Sequence, residues 1–245
     1  MPSRSLPAGP RRAATTLVVA LLIGGAACGG DDGEIASTGD ERARQATDAA
    51  VDAGLDEEVA AFVGLLARGE TATYRVRFPG PSQGTELEIT SRPPDRRVEI
   101  TADGRTVEVR LVIGGEAFAC TPSSEEDGEL TCERTDTLVE PPGLFRAGAL
   151  DELRTSLAAR TEDYTFAIES QTVAGTDAQC LVTRLRRGRE SPERGASGTI
   201  CASPEGVVLL VDQAGERVEA TEYATDVAVE AFERPDAPAG DGSAG

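Results

Sequence analysis

Five cysteines carry the strongest chemistry in this 245-residue sequence, and their spacing divides them into four and one. Cys120, Cys132, Cys180 and Cys201 form an even set; Cys28 stands apart, where an apolar run meets the stretch "GGDDG". An even set is what an exported chain uses for disulfides. Cys120 and Cys132 flank "TPSSEEDGELT", and Cys180 and Cys201 flank a longer loop rich in Arg, Gly and Ser. Each pair brackets a loop between two strand-like runs, so hairpin-linking bridges are the natural choice among the three connectivities. A metal or redox site is not expected, because there is no CxxC and no His to complete a zinc shell.

The absent residue types narrow the function further. Without His there is no imidazole general base, and without Lys there is neither a Schiff base nor a phosphate-loop lysine. No G-x-S-x-G elbow occurs, and the carboxylates are scattered. The expectation is therefore no enzyme, no metal and no cofactor. A formal net charge of −19, with arginine as the only cation, argues against nucleic acid as a partner.

The N-terminus bears on what the odd cysteine does. Arg4, Arg11 and Arg12 precede an uncharged run from Ala13 to Ala27. That run falls short of the ~20 residues of a membrane span but suits a signal-peptide core. Gly25, Ala26 and Ala27 then lead into Cys28, which resembles a bacterial lipobox. The resemblance implies a diacylglyceryl group on the Cys28 thiol and cleavage before it, with Gly25 standing where the motif usually has an aliphatic residue. Two acyl chains meet the requirement for stable anchoring. The expected location is the extracytoplasmic face of a bacterial cell membrane; the alternative is a secreted form after ordinary cleavage. The expected organisation is a signal peptide over 1–27, a lipidated cysteine and tether over 28–40, one domain over 41–234 and a tail over 235–245.

The elements of that domain follow from periodicity. Leu55, Val59, Phe62, Val63 and Leu66 recur at helical spacing until Gly69, with Asp40 or Thr47 as candidate caps. From there the period changes to two, through "TYRVRF", "TELEIT", "RRVEIT" and "RTVEVRLVI", with turns at Pro93-Pro94-Asp95 and Asp103-Gly104. An antiparallel meander, apolar on one face and polar on the other, is predicted. "GALDELRTSLAAR" inserts a helix with Leu150, Leu153 and Leu157 on one side, and strands resume with "DYTFAIES". In "GVVLLVD" both faces are apolar, so both are expected to be covered.

"RPPDRRVEI", "VIGGEAFACT" and "VAGTDAQCL … TICASPEGVVLLVD … VEATEYATDVAVEAFERP" together resemble bacterial lipoproteins of the LolA/LppX-like fold, over most of residues 55 to 235. The resemblance implies an α+β fold: a strongly curved antiparallel sheet, an incomplete barrel, with helices packed on its concave side. It also implies an apolar cavity binding or shuttling a lipid or lipidated molecule. Tyr74, Val76, Phe78, Leu87 and Ile89 would line that concave face. Val98, Ile100, Phe166 and Ile168 would complete it. The alternative function is an envelope sensor or protein-interaction module, related to RseB-type proteins, whose core is packed and which contacts a membrane protein. The acidic "SSEEDGE" (Ser123 to Glu129) reads as a solvated hairpin tip, and the arginine-rich stretch from Arg184 to Gly195 as an exposed loop.

Overall fold

The computed structural model describes residues 38–80, 82–123, 130–135, 148–187, 197–213 and 216–235. Cys28, most of the acidic loop and the centre of the arginine-rich loop lie outside the described residues. Within them the chain is α+β, with two antiparallel sheets and three α-helices.

The helical start is two helices where the periodicity suggested one. Helix α1 spans Gly39–Asp52 and α2 spans Glu57–Gly69. Thr38, not Asp40 or Thr47, is the N-cap of α1, and its hydroxyl accepts the Glu41 N–H at 3.3 Å. The break comes at Gly54, which takes a left-handed φ of 85°. Gly54 N–H donates to Val51 O and Leu55 N–H to Ala50 O, the paired bonds that close a helix on a left-handed residue. Leu55 is the buried apolar residue just past that cap, which is why it kept the helical period without being helical.

After α2 come β1 (Tyr74–Pro79), β2 (Thr85–Arg92), β3 (Asp95–Ala102), β4 (Arg105–Ile113), β5 (Glu116–Pro122) and β6 (Leu130–Arg134). Helix α3 (Ala149–Ala158) separates them from β7 (Tyr164–Val173), β8 (Thr176–Leu185), β9 (Ser197–Ala202) and β10 (Val208–Gln213). Two short strands, β11 (Glu216–Glu219) and β12 (Glu222–Ala224), end the series, and a 3-10 turn at Val229–Phe232 follows. The sheets have the orders β12-β1-β2-β3-β4-β5-β6 and β11-β10-β9-β8-β7. Their hydrogen bonding is nearly continuous: Ala220 N–H donates to Leu209 O at 2.7 Å and Thr221 N–H to Arg77 O at 2.8 Å. The chain between β11 and β12 thus leaves β10 and joins β1 within two residues.

The five-stranded sheet is covered on both faces. Ala178, Cys180 and Val182 of β8 pack with Tyr74, Val76, Phe78 and Ile89 of β1 and β2. Leu181, which alternation points the other way, packs with α1, α2 and α3 alongside Phe166, Ile168 and Ile200. The helices therefore lie on the face of this sheet opposite the one that meets β1 and β2. In β10 the expected alternation fails locally: a bulge between Val208 and Leu210 sends Leu209 and Leu210 to the same cluster, and Val208 and Val211 to the helix side.

The seven-stranded sheet departs from the single apolar face predicted for the meander. Val98 stands opposite Arg110 and Ile100 opposite Glu108, while Leu111 and Val109 stand opposite Arg97 and Glu99. The apolar side therefore changes between β3 and β4. A bulge is the cause: the Asp103-Gly104 turn alone would set Val98 opposite Val109, but the register shifts by one residue between Ile100 and Thr101, which skips Val107 of β4. Val109, Leu111, Phe118 and Cys120 form their own cluster on the second side. Arg97 and Glu99 tolerate that neighbourhood because they pair at 2.6 Å and Glu99 also accepts the Thr106 hydroxyl.

Candidate functional site

The nine residues placed on a common cavity wall by the sequence do not share one. Tyr74, Val76, Phe78 and Ile89 are 0–4% exposed, with Leu87 half-buried beside them, against β8 and β10. Phe166 and Ile168 belong to the helix side of the five-stranded sheet. Val98 is buried and Ile100 half-buried, and neither joins a main cluster. The Tyr74–Ile89 group is thus part of a filled interior.

An open apolar cleft lies elsewhere, between α3 and the five-stranded sheet. A cleft of about 120 Å³ is walled by Leu153 and Leu157 of α3, Phe166 of β7, Leu181 of β8, Ile200 of β9 and Val211 of β10. Leu181 and Leu157 are buried at its base, whereas Leu153, Phe166, Ile200 and Val211 keep partial exposure to it. Small residues make the room: Ser156 on the helix, Thr183 on β8 and Gly198 on β9 also line it. Helix α3 can stand off the sheet there because its own apolar face is narrow, with Leu157 and Ala149 its only buried residues.

One end of the cleft carries cations. The Arg160 guanidinium, just past the end of α3, sits 5.9 Å from the centre of the buried Tyr164 ring. Arg186 reaches the same turn, donating to Tyr164 O at 3.1 Å and Thr161 O at 3.2 Å. Asp212 lines the other side of the cleft and has Arg217 at 3.6 Å. Phe166 is the cleft residue that the sequence also placed on a cavity wall. Leu181 and Ile200 had one legible signal, since strands with apolar residues on both faces must have cover on both. Arg160 had none.

A second polar group ties the β9–β10 turn to β12. Tyr223 O–H donates to Glu205 Oε2 at 2.7 Å, and the enclosed Ser203 Oγ stands 3.0 Å from Tyr223 OH. Burial pushes the Tyr223 phenol up, the Ser203 contact opposes this, and the adjacent Glu205 carboxylate adds to it. For Glu205 burial acts upward, but hydrogen bonds from Tyr223 and Ser203 outweigh it and hold the carboxyl below its ordinary range. Beside this group Gly206 takes φ +89° directly against Leu65 O and Gly69 N of α2. Ser203, with every polar atom engaged and no exposure, is a structural hydroxyl.

The cysteines pair across neighbouring strands. Cys120 and Cys132 face each other on β5 and β6, and Cys180 and Cys201 on β8 and β9, with S–S distances of 2.00 and 2.15 Å. Among the described residues no helix is long and apolar enough to cross a membrane, and no group of three or more Cys, Asp and Glu is placed to hold a metal. Of the arginine-rich loop, Arg184 pairs with Glu169 at 2.8 Å, and residues 188–195 lie outside the described residues.

No family model and no curated protein matches the sequence. Among solved structures the chain is similar to the crystal structure of the Mycobacterium tuberculosis lipoprotein LppX, at 9% sequence identity and a TM-score of 0.31, over 69% of this chain and 98% of that one.

Proposed function

We propose that this chain is an extracytoplasmic lipoprotein, anchored through Cys28, that holds an apolar chain in the cleft between α3 and the five-stranded sheet. Its organisation would be a signal peptide over 1–27, a lipidated cysteine and tether over 28–40, a domain over 41–234 and a tail over 235–245. The two sheets, sharing the strand run from Glu216 to Ala224, would act as one strongly curved wall, an incomplete barrel. The observation that carries this reading is the cleft itself, open apolar surface enclosed on two sides, whereas the face around Tyr74 and Ile89 is filled.

Its size limits the cargo. A cavity of about 150 Å³ takes the six carbons of a benzene, so 120 Å³ admits about five carbons of one chain and not two chains side by side. Each buried methylene contributes about 0.8 kcal/mol, so affinity rises roughly fourfold per carbon until the cleft is full. A sensor or protein-interaction role draws on a different observation, the filled core under β1 and β2.

Native mass spectrometry of the protein exported by its own host, purified without detergent, tests the reading. A discrete amphiphile adduct that is lost on denaturation and absent from a Ser156→Phe variant supports it. A bare mass that takes up no added amphiphile moves the search to protein partners.

A further inference from the structure

We infer that the cleft between α3 and the five-stranded sheet selects a single-chain amphiphile with an anionic head, whose head is met by Arg160 and Arg186. This rests on the reading that the cleft holds an apolar chain, and adds the chemistry of the head. The chain carries a formal charge of −19, so an anion approaching most of its surface is repelled. At the α3–β7 turn two cations, Arg160 and Arg186, offset that excess locally. Arg160 lines the cleft and stands over the Tyr164 ring, and among the described residues no carboxylate pairs with it. Arg186 spends its bonds on the backbone carbonyls of Thr161 and Tyr164, which holds its charge at the same turn without neutralising it.

Among the described residues none of the acids nearby forms an ion pair with Arg160 or Arg186. Glu162 and Asp163 are on the turn itself, and Asp212 lies across the cleft with Arg217 as its partner. An apolar slot that opens beside two guanidinium groups without a carboxylate ion pair among the described residues is complementary to a tail ending in a carboxylate or a phosphate. Guanidinium groups bind both oxyanions through paired N–H donors. A slot sized for one tail favours single-chain amphiphiles over lipids that would have to bury two or three.

Isothermal titration of the purified, exported protein with decanoate, decanol and decyltrimethylammonium separates the head from the tail. Decanoate is expected to bind roughly fivefold more tightly than decanol at low salt, the scale of one exposed charge contact. The cationic analogue should be the weakest, and the carboxylate preference should shrink in high salt. Arg160→Gln should remove most of the preference of decanoate over decanol, and Arg160→Lys should keep part of it. Decyl phosphate in place of decanoate tells whether the phosphate head is preferred. Equal binding of decanoate and decanol, or a preference that survives Arg160→Gln, overturns the anionic head and leaves the apolar cleft standing. If none of the three binds, the cleft reading falls and this inference with it.

Discussion

Replacing Gly206 with alanine probes the contact that presses the helices onto the sheet. A Cβ built at Gly206 falls 1.9 Å from Leu65 O, 2.9 Å from Leu65 C and 2.7 Å from Gly69 N, all backbone atoms of α2 that cannot rotate aside. The residue also sits at φ +89°, where an L side chain costs about 1–2 kcal/mol on its own. Adding roughly 1–3 kcal/mol for forcing two packed backbones apart gives a loss of about 3 kcal/mol. In a domain of this length that lowers Tm by about 6–12 °C. Gly104 supplies the control, because its φ is +73° but nothing lies within 4 Å of an added Cβ. Gly104→Ala should therefore cost only the conformational part, about 1 kcal/mol. Thermal melts by circular dichroism on both variants separate the two contributions. Equal losses would mean that α2 is not held against the β9–β10 turn, and that the steric reasoning is wrong.

Three further outcomes follow from the same contacts. Removing Cys180–Cys201 or Cys120–Cys132 by paired serine substitutions should cost about 3 kcal/mol each in the chain-entropy model. The Cys180–Cys201 loss should be the larger in urea melts, because both of its sulfurs lie in the core of β1, β2, β8 and β10. Glu205 has a folded-state pKa below its unfolded one, so its contribution is present above the ordinary carboxylate value of 4.5 and is lost as pH falls through the lowered value. Stability measured across the acid range should fall less steeply in Glu205→Gln, and an unchanged slope would remove Glu205 from the acid limb. Intact-mass analysis of the chain from its host should show an N-terminal Cys28 bearing a diacylglyceryl group, and Cys28→Ser should abolish both the lipid and the cleavage. Cleavage without lipid in both forms marks a secreted protein instead.

Much of this architecture was legible because its signals are local. Strands β1 to β5 follow from alternation, and their turns from Pro93-Pro94 and Asp103-Gly104. The cysteine pairs bracket hairpins, as their spacing within strand-like runs suggested. What failed was everything that depends on how one correct strand meets another. Val109 and Leu111 alternate as faithfully as Val98 and Ile100, and only a one-residue bulge at Val107 sends them to opposite sides. A single bulge at Leu209 rearranges β10 in the same way. The cavity residues were grouped on the assumption of one continuous apolar wall. The structure fills the Tyr74–Ile89 part and leaves space at Phe166, where short side chains on α3 and β8 meet. Packing depth of that kind has no one-dimensional signature.

The most direct test of where an apolar chain sits is photolabelling with a medium-chain alkyl diazirine, with the modified residues mapped by peptide mass spectrometry. The account predicts labels concentrated on Leu153, Leu157 and Phe166, and their loss in Ser156→Phe. Labels on β1 and β2 around Val76 and Ile89, or spread evenly over the surface, would contradict it.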